Sequence, residues 1–367
     1  MTEAVTLDQS QAVRSGEELD NPKLYDFLQT HLAQPDLATD AGVPFLVEQF
    51  PNGYSNLTYR VRFGNRDMVL RRPPFGANIK AGHDMEREYK VLHSLATIYA
   101  RVPRPLIYSD DLTVLGAPFY LMERVEGVIL RSRPDSSPLL SAPTMAQLSK
   151  AFIENLADIH ALDYAATELK KLARPGSHVE RQVNGWIQRY TRAKTDELPA
   201  IEKVESWLTE NKPADCGTCL IHNDYKYDNL ILAARDLAQV VAVLDWEMAT
   251  IGDPLMDLGP TLAYWVDPND SEELKAIYPA TTLWPGNLDR AQLTQHYAVY
   301  SGREVGNIVF YYVYGLFKNA VIAQQIYARY KQGFTSDERF GRLAQAVRVL
   351  ANTAVRAIEK NRIDQLG

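Results

Sequence analysis

Four polar residues of one short segment have types and spacings that suit chemistry. His222, Asp224 and Asn229 stand in the run LIHNDYKYDNLIL (220–232), and Asp245 follows 16 positions after Asn229. Asn229 opens an apolar strand, Leu230 to Leu232, a turn follows over 233–238, and a second apolar strand, Val240 to Leu244, delivers Asp245. Pairing of these strands as an antiparallel hairpin brings its open ends together, so that Asn229 and Asp245 can share one ion. An amide oxygen and a carboxylate are hard donors, which suits magnesium, an ion that keeps phosphate oxygens and waters for its remaining positions. Asp224 lies outside the hairpin, where it can accept a hydroxyl proton. Together these groups suit a magnesium ion held beside a proton acceptor; the plain alternative is a polar loop between buried strands in which His222 and Asp224 only cap backbone groups.

The elements that must position them are legible from periodicity. Leu57, Tyr59, Val61 and Phe63 alternate with Thr58, Arg60 and Arg62, the pattern of a half-buried strand. Val47 to Phe50 before it and Met68 to Arg71 after it complete three antiparallel strands, joined by the turns at Pro51-Asn52-Gly53 and Gly64-Asn65. A helix over about Asp84 to Thr97 and two more strands, Arg104 to Tyr108 and Phe119 to Arg124, finish a small α+β unit. In that helix Met85, Glu88, Tyr89, Leu92 and Ala96 share one apolar stripe, so Glu88 needs a cationic partner if the stripe is buried. Beyond a Ser/Pro-rich connection (131–143) the periodicity is helical for Met145 to Leu162, Val179 to Ala193, Ile201 to Asn211, Arg290 to Tyr300, Ile308 to Tyr330 and Ser336 to Lys360, interrupted only by the β island around Asp224.

Composition narrows the partners. The 367 residues carry a net charge of -7, so no excess of Lys and Arg is available for a nucleic-acid backbone, and no protein partner is indicated either. No apolar run is long enough to cross a bilayer and the N-terminus lacks a signal-peptide pattern, which predicts a cytoplasmic protein without a membrane role. The two cysteines, Cys216 and Cys219, form a C-x-x-C pair without the further ligands of a zinc site and read as reduced thiols in a turn. Walker A, Rossmann and G-x-S-x-G patterns are absent from the sequence.

The H-x-D-x-x-x-x-N spacing of His222, Asp224 and Asn229, followed by Leu244-Asp245-Trp246-Glu247 and by Gly252-Asp253-Pro254 to Asp257-Leu258, resembles the aminoglycoside phosphotransferase and choline kinase-like family. Within it the chain most closely resembles the branch of kinase-like domains fused to acyl-CoA dehydrogenases, from about Val47 to the C-terminus. The resemblance implies a protein kinase-like two-lobed α+β fold that uses ATP and Mg2+. It implies Asp224 as catalytic base, Asn229 and Asp245 as metal ligands, and Asp257 as a buttress of the catalytic loop. Asn223 replaces the family's usual glycine.

By the same resemblance the hairpin residues Gly53, Ser55 and Asn56 cover the phosphates, and Arg71 stands where protein kinases place lysine, with Glu88 as its partner; Arg72, on the other face of the strand, is the alternative. The linker around Glu123 and Val125 borders the adenine. Lys226 matches a catalytic-loop lysine that neutralises the moving phosphoryl group, with a plain surface lysine as the alternative. His222 and His160 are read as structural supports.

The expected organisation is a surface lead-in over 1–40, a nucleotide-binding N-lobe over 41–124 and a catalytic, substrate-binding C-lobe over 125–367. The acceptor is a hydroxylated small molecule, which the branch suggests is a hydroxyacyl-CoA, and the aromatics Tyr264, Trp265, Tyr311, Tyr312, Tyr314 and Phe317 are candidates for its pocket or for the core. The competing readings are an aminoglycoside antibiotic kinase, a non-catalytic nucleotide-binding protein of the same fold, and a hydrolase in which Asp224 activates water.

Overall fold

The computed structural model describes residues 8–32, 45–51, 56–75, 84–131, 140–278, 281–334 and 338–367. The alternating segments form one antiparallel sheet of β1 (Leu46–Gln49), β2 (Leu57–Phe63), β3 (Arg66–Arg72), β4 (Pro105–Ser109) and β5 (Phe119–Glu123), in the order β1-β2-β3-β5-β4. Its register, with Leu57 opposite Arg72 and Phe63 opposite Arg66, puts Leu57, Tyr59, Val61 and Phe63 on one buried face, as alternation predicts. That face is covered by α1 (Asn21–His31), whose Leu24 and Leu28 are fully buried with Leu57, Tyr59 and Phe119. The segment read as a surface lead-in therefore supplies part of the N-lobe core, and Gln11 adds a bridge to Gln49 at the sheet edge.

The opposite face receives α2 (Met85–Leu95), begun by the Asp84 cap on the Arg87 N–H. Met85, Glu88 and Leu92 of its stripe are buried, at 2 %, 1 % and 2 % exposure. A four-residue α3 (Leu112–Leu115), too short for a periodic signal, joins β4 to β5.

The larger lobe is mainly helical: α4 (Ala142–His160), α5 (His178–Ala193), α6 (Pro199–Glu210), α7 (Leu255–Tyr264), α8 (Glu272–Ile277), α9 (Arg290–Ser301), α10 (Ile308–Lys331) and α11 (Leu343–Lys360). The last begins later than periodicity suggests, after a single-turn helix over Glu338–Arg342 that contains Gly341. Two small ribbons carry the polar segment, β6 (Cys219–Ile221) against β9 (Thr250–Gly252) and β7 (Leu230–Ala233) against β8 (Asp236–Val243). Helices α7 and α10 cross in very close contact. A Cβ on Gly315 would lie 2.6 Å from the Gly259 carbonyl oxygen, and one on Gly259 would overlap the carbonyl oxygen of Tyr311. Lys318, one turn beyond Gly315 on the same helix face, is carried by this contact towards the Asp224 loop. Tyr311, Tyr312, Tyr314 and Phe317 are core, each at most 1 % exposed. No helix among the described residues is long and apolar enough to cross a membrane.

Candidate active site

The hairpin closes as its sequence demands. Leu230 pairs with Val243, and the Leu244 N–H donates to the Asn229 carbonyl at 2.8 Å, so Asn229 and Asp245 sit at adjoining strand ends. Both line the cleft between the lobes, together with Arg71, Glu88, Asn56, Glu123 and Val125. Gly53 and Ser55 lie outside the described residues. Asn229 Nδ2 donates to the Asp224 carboxylate at 3.0 Å and to its backbone carbonyl at 2.8 Å, which ties the loop to the hairpin. Lys226 Nζ donates to Asp224 Oδ2 at 2.8 Å and stands 4.8 Å above the Tyr264 ring. Burial alone would raise the Asp224 pKa, yet the charge and hydrogen bond of Lys226 outweigh it and hold the carboxyl below the usual range. Asp224 is therefore ionised at neutral pH.

On the N-lobe side, Arg71 Nη1 donates to Glu88 Oε1 at 2.6 Å and Arg71 Nη2 to Asp245 Oδ1 at 3.2 Å. Burial pushes the Glu88 carboxyl up, and the Arg71 charge draws it back. Arg72 turns to the other face, donating to the Leu115 carbonyl at 3.1 Å and stacking on Phe75. Alternation along β3 thus places one arginine in the cleft and the other outside it. Sequence reasoning missed two further tethers. Asn56 Nδ2 donates to Glu247 Oε2 at 3.0 Å, and Arg87 of α2 donates to the backbone carbonyls of Glu247 and Ala249. Burial and the Asp245 charge push the Glu247 carboxyl up to about 8.

Beneath the loop, Asp257 at the start of α7 accepts from the His222 N–H at 2.7 Å, the Asn223 N–H at 2.6 Å and His160 Nε2 at 3.1 Å. His160 Nδ1 then accepts from the Tyr297 hydroxyl at 2.7 Å. His222 donates from Nε2 to the Leu244 carbonyl at 2.8 Å and accepts the Asp224 N–H at Nδ1, with Trp246 packed on its ring at 4.6 Å. Both histidines are thus structural supports. Asn223 has φ +69, in the left-handed region that favours glycine and that asparagine tolerates best among other residues. That conformation accounts for the departure at this position better than side-chain tolerance does.

Lys318 is the unexpected member of this group. It is 2 % exposed and donates to the Asn223 carbonyl at 2.6 Å, and burial drives its ammonium down to about 8. A lysine whose folded pKa lies below its ordinary 10.5 opposes folding while it is charged. Stability of the wild type relative to Lys318→Met should therefore rise between pH 8 and 10.5, by at most about 3 kcal/mol. Denaturant midpoints at the two ends of that range measure it, and parallel curves would refute it.

The C-x-x-C pair lies apart, around β6. Cys216 Sγ donates to Asp253 at 3.2 Å; burial and that carboxylate push its thiol up to about 12, and burial raises Cys219 as well. Neither is a thiolate at neutral pH.

The Phosphotransferase enzyme family matches over residues 46–293. Mouse acyl-CoA dehydrogenase family member 11 is 32 % identical over 344 residues, covering 92 % of this chain and 43 % of the relative. The chain spans less than half the length of the curated relatives it matches first. A solved structure of a candidate aminoglycoside phosphotransferase from Ralstonia eutropha superposes with a TM-score of 0.74 at 27 % identity, covering 94 % of this chain and 99 % of the other. A thermostable aminoglycoside phosphotransferase mutant, in ternary complex with AMP-PNP and hygromycin B, shares the fold with a TM-score of 0.52 at 16 % identity, over 89 % and 98 % of the two chains. The chain therefore belongs to the phosphotransferase enzyme family and has its kinase-like, two-lobed α+β fold.

Proposed function

We propose that this protein transfers the γ-phosphoryl group of ATP to a hydroxyl of a small molecule, with Asp224 orienting the acceptor and Asn229 and Asp245 holding magnesium. The observation that carries the reading is the convergence of Asn229, Asp245 and the Arg71–Glu88 pair on one inter-lobe cleft, with Asp224 hydrogen-bonded to Asn229 beside it. The donor set fits the metal: Asn229 turns its Nδ2 onto Asp224, which leaves its carbonyl oxygen for a cation, and Asp245 supplies a carboxylate. Two hard oxygens suit magnesium, which takes its other ligands from phosphates and water and, when bound, neutralises phosphate charge. Arg71 fits the phosphates, because it lines the cleft and its Nε is buried without a hydrogen-bond partner among the described residues. Bound AMP-PNP in the fold neighbour supports ATP as donor. Glu123 and Val125 border the adenine and Asn56 the phosphates.

An ionised carboxylate of low pKa is a weak base. Asp224 thus orients the acceptor hydroxyl and takes its proton late, which suffices for a loose transition state that needs little nucleophile activation. Lys226, bonded to Asp224, offsets charge on the moving phosphoryl group. Glu88 holds Arg71 in place. Glu88→Gln should raise the apparent KM for ATP on the order of tenfold, the equivalent of about 1.4 kcal/mol. An unchanged KM would remove this pair from the nucleotide site.

For the acceptor, we favour a hydroxyacyl-CoA or another hydroxylated metabolite without cationic groups over a polycationic aminoglycoside. A hollow beside Lys226 is walled by Phe152, Tyr264, Trp265 and Tyr278, and Asp228 is the only carboxylate among its described lining residues. A polycation would find little compensation there. The names of the acyl-CoA dehydrogenase relatives point the same way. ADP release from MgATP, measured with hydroxyacyl-CoAs, other hydroxylated metabolites and aminoglycosides, tests the reading: acceleration by the first groups is expected, and acceleration by aminoglycosides alone would reverse the choice. ADP release equal with and without any acceptor would indicate a hydrolase.

A further inference from the structure

Lys318 is a buried cation that no step above uses. Its ammonium has no carboxylate within 4.0 Å among the described residues; its partners are the Asn223 carbonyl at 2.6 Å and the Trp186 ring at 5.7 Å. The charged groups that bear on it are Asp224 of the loop and Asp257 of α7, which favour its charge, and Lys226 of the loop and Arg189 of α5, which oppose it. Withdrawing an ammonium from water costs several kcal/mol, and one carbonyl does not repay it, so an apolar side chain of similar length would serve packing better.

The location of that charge gives it a use. The Asn223 carbonyl belongs to the peptide whose N–H is that of Asp224. Lys318 holds the oxygen side of this peptide plane, and His222 Nδ1 accepts from its N–H at 3.2 Å. Two more polar groups of Asn223 are also committed, its N–H to Asp257 and its Nδ2 to the Met248 carbonyl at 3.0 Å. The peptide entering Asp224 is thus clamped from both sides, in a left-handed conformation, with a positive charge behind the carboxylate.

We propose that Lys318 is a positioning residue for phosphoryl transfer: from α10 it fixes the Asn223–Asp224 peptide and so aims the Asp224 carboxylate at the acceptor hydroxyl. This inference rests on the reading of Asp224 as the acceptor-orienting group. Misplacing a reacting group by about 1 Å costs on the order of 100-fold in rate, which sets the scale of the effect.

The test uses the full chain with MgATP and 3-hydroxybutyryl-CoA, and with MgATP and water where the thioester is not turned over. Lys318→Met should lose on the order of 100-fold in kcat and keep the KM for ATP within about twofold. It should also melt at or above the wild-type temperature, because a buried charge has been removed. Lys318→Gln, which keeps a donor but no charge, should fold and still fall roughly tenfold short in kcat. Wild-type kcat in either variant overturns the proposal. So does a lower melting temperature for Lys318→Met, which would make the lysine a support of the fold. Asp224→Asn, assayed alongside, separates the failures. Full activity in that variant sinks the reading of Asp224 itself, whereas loss there with retention in both Lys318 variants sinks only the inference about Lys318.

Discussion

Replacing Asp224 with asparagine is expected to lower kcat by roughly 10²–10⁴-fold while leaving the KM for ATP close to wild type and lowering the melting temperature only modestly, since the ionised carboxylate is favoured in the fold. The change removes a negative charge and one acceptor but keeps the shape, so the bonds to Lys226 and Asn229 are altered without opening a cavity. The KM for ATP should hold because the proposed nucleotide contacts are Arg71 and the metal ligand Asp245, both lining the cleft, rather than Asp224. A pH profile adds a second reading. Since Lys226 holds the Asp224 carboxyl below the usual range in spite of burial, wild-type activity should show no acidic limb from Asp224 between pH 5 and 7. Undiminished turnover in purified Asp224→Asn would remove it from the chemistry.

The parts of the site that were legible in the sequence are those held by local geometry. Asn229 and Asp245 meet because two short strands pair in register, and Arg71 meets Glu88 because periods of 2 and 3.6 put each on an inward face. What escaped were contacts between residues distant along the chain. Lys318 reaches Asn223 across 95 positions, Arg87 reaches Glu247 across 160, and Asn56 reaches Glu247 across 191, and none leaves a periodic trace. The left-handed backbone of Asn223 left one hint, an asparagine where the family resemblance implies glycine. In the fold, α7 escaped the periodicity reading because it is buried all round from Leu255 to Ala263, and because Pro260 sits inside it. The burial of α1 was hidden by the polar composition around Leu24 and Leu28. The aromatic run of α10 was ambiguous for a different reason, since a helix apolar all round reads equally as pocket wall or core, and packing against α7 and α11 decided for core.

Asp257→Ala should be the most damaging substitution to the fold of the site, at about 3–5 kcal/mol of stability, because it leaves several buried donors without their shared acceptor. The carboxylate is fully buried and takes the N–H groups of His222 and Asn223 as well as His160 Nε2. Burial would raise its pKa, but the hydrogen bond and charge from His160, with further help from His222, hold it below its ordinary 3.8. The sign follows from that direction. A carboxyl whose folded pKa is depressed adds stability above the unfolded value and loses it as pH falls through the folded value. The gap between wild type and Asp257→Ala should therefore be full at pH 7 and narrow below pH 4, as denaturant titrations at the two pH values would measure. The variant should also lose turnover, since the backbone that Asp257 fixes is the one entering Asp224. Asp224→Asn separates the two roles, being expected to lose rate with a much smaller loss of stability. A stability loss under about 1 kcal/mol for Asp257→Ala would mean that β6, β9 and the Lys318 contact hold the loop without it, and the buttress would have to be sought there.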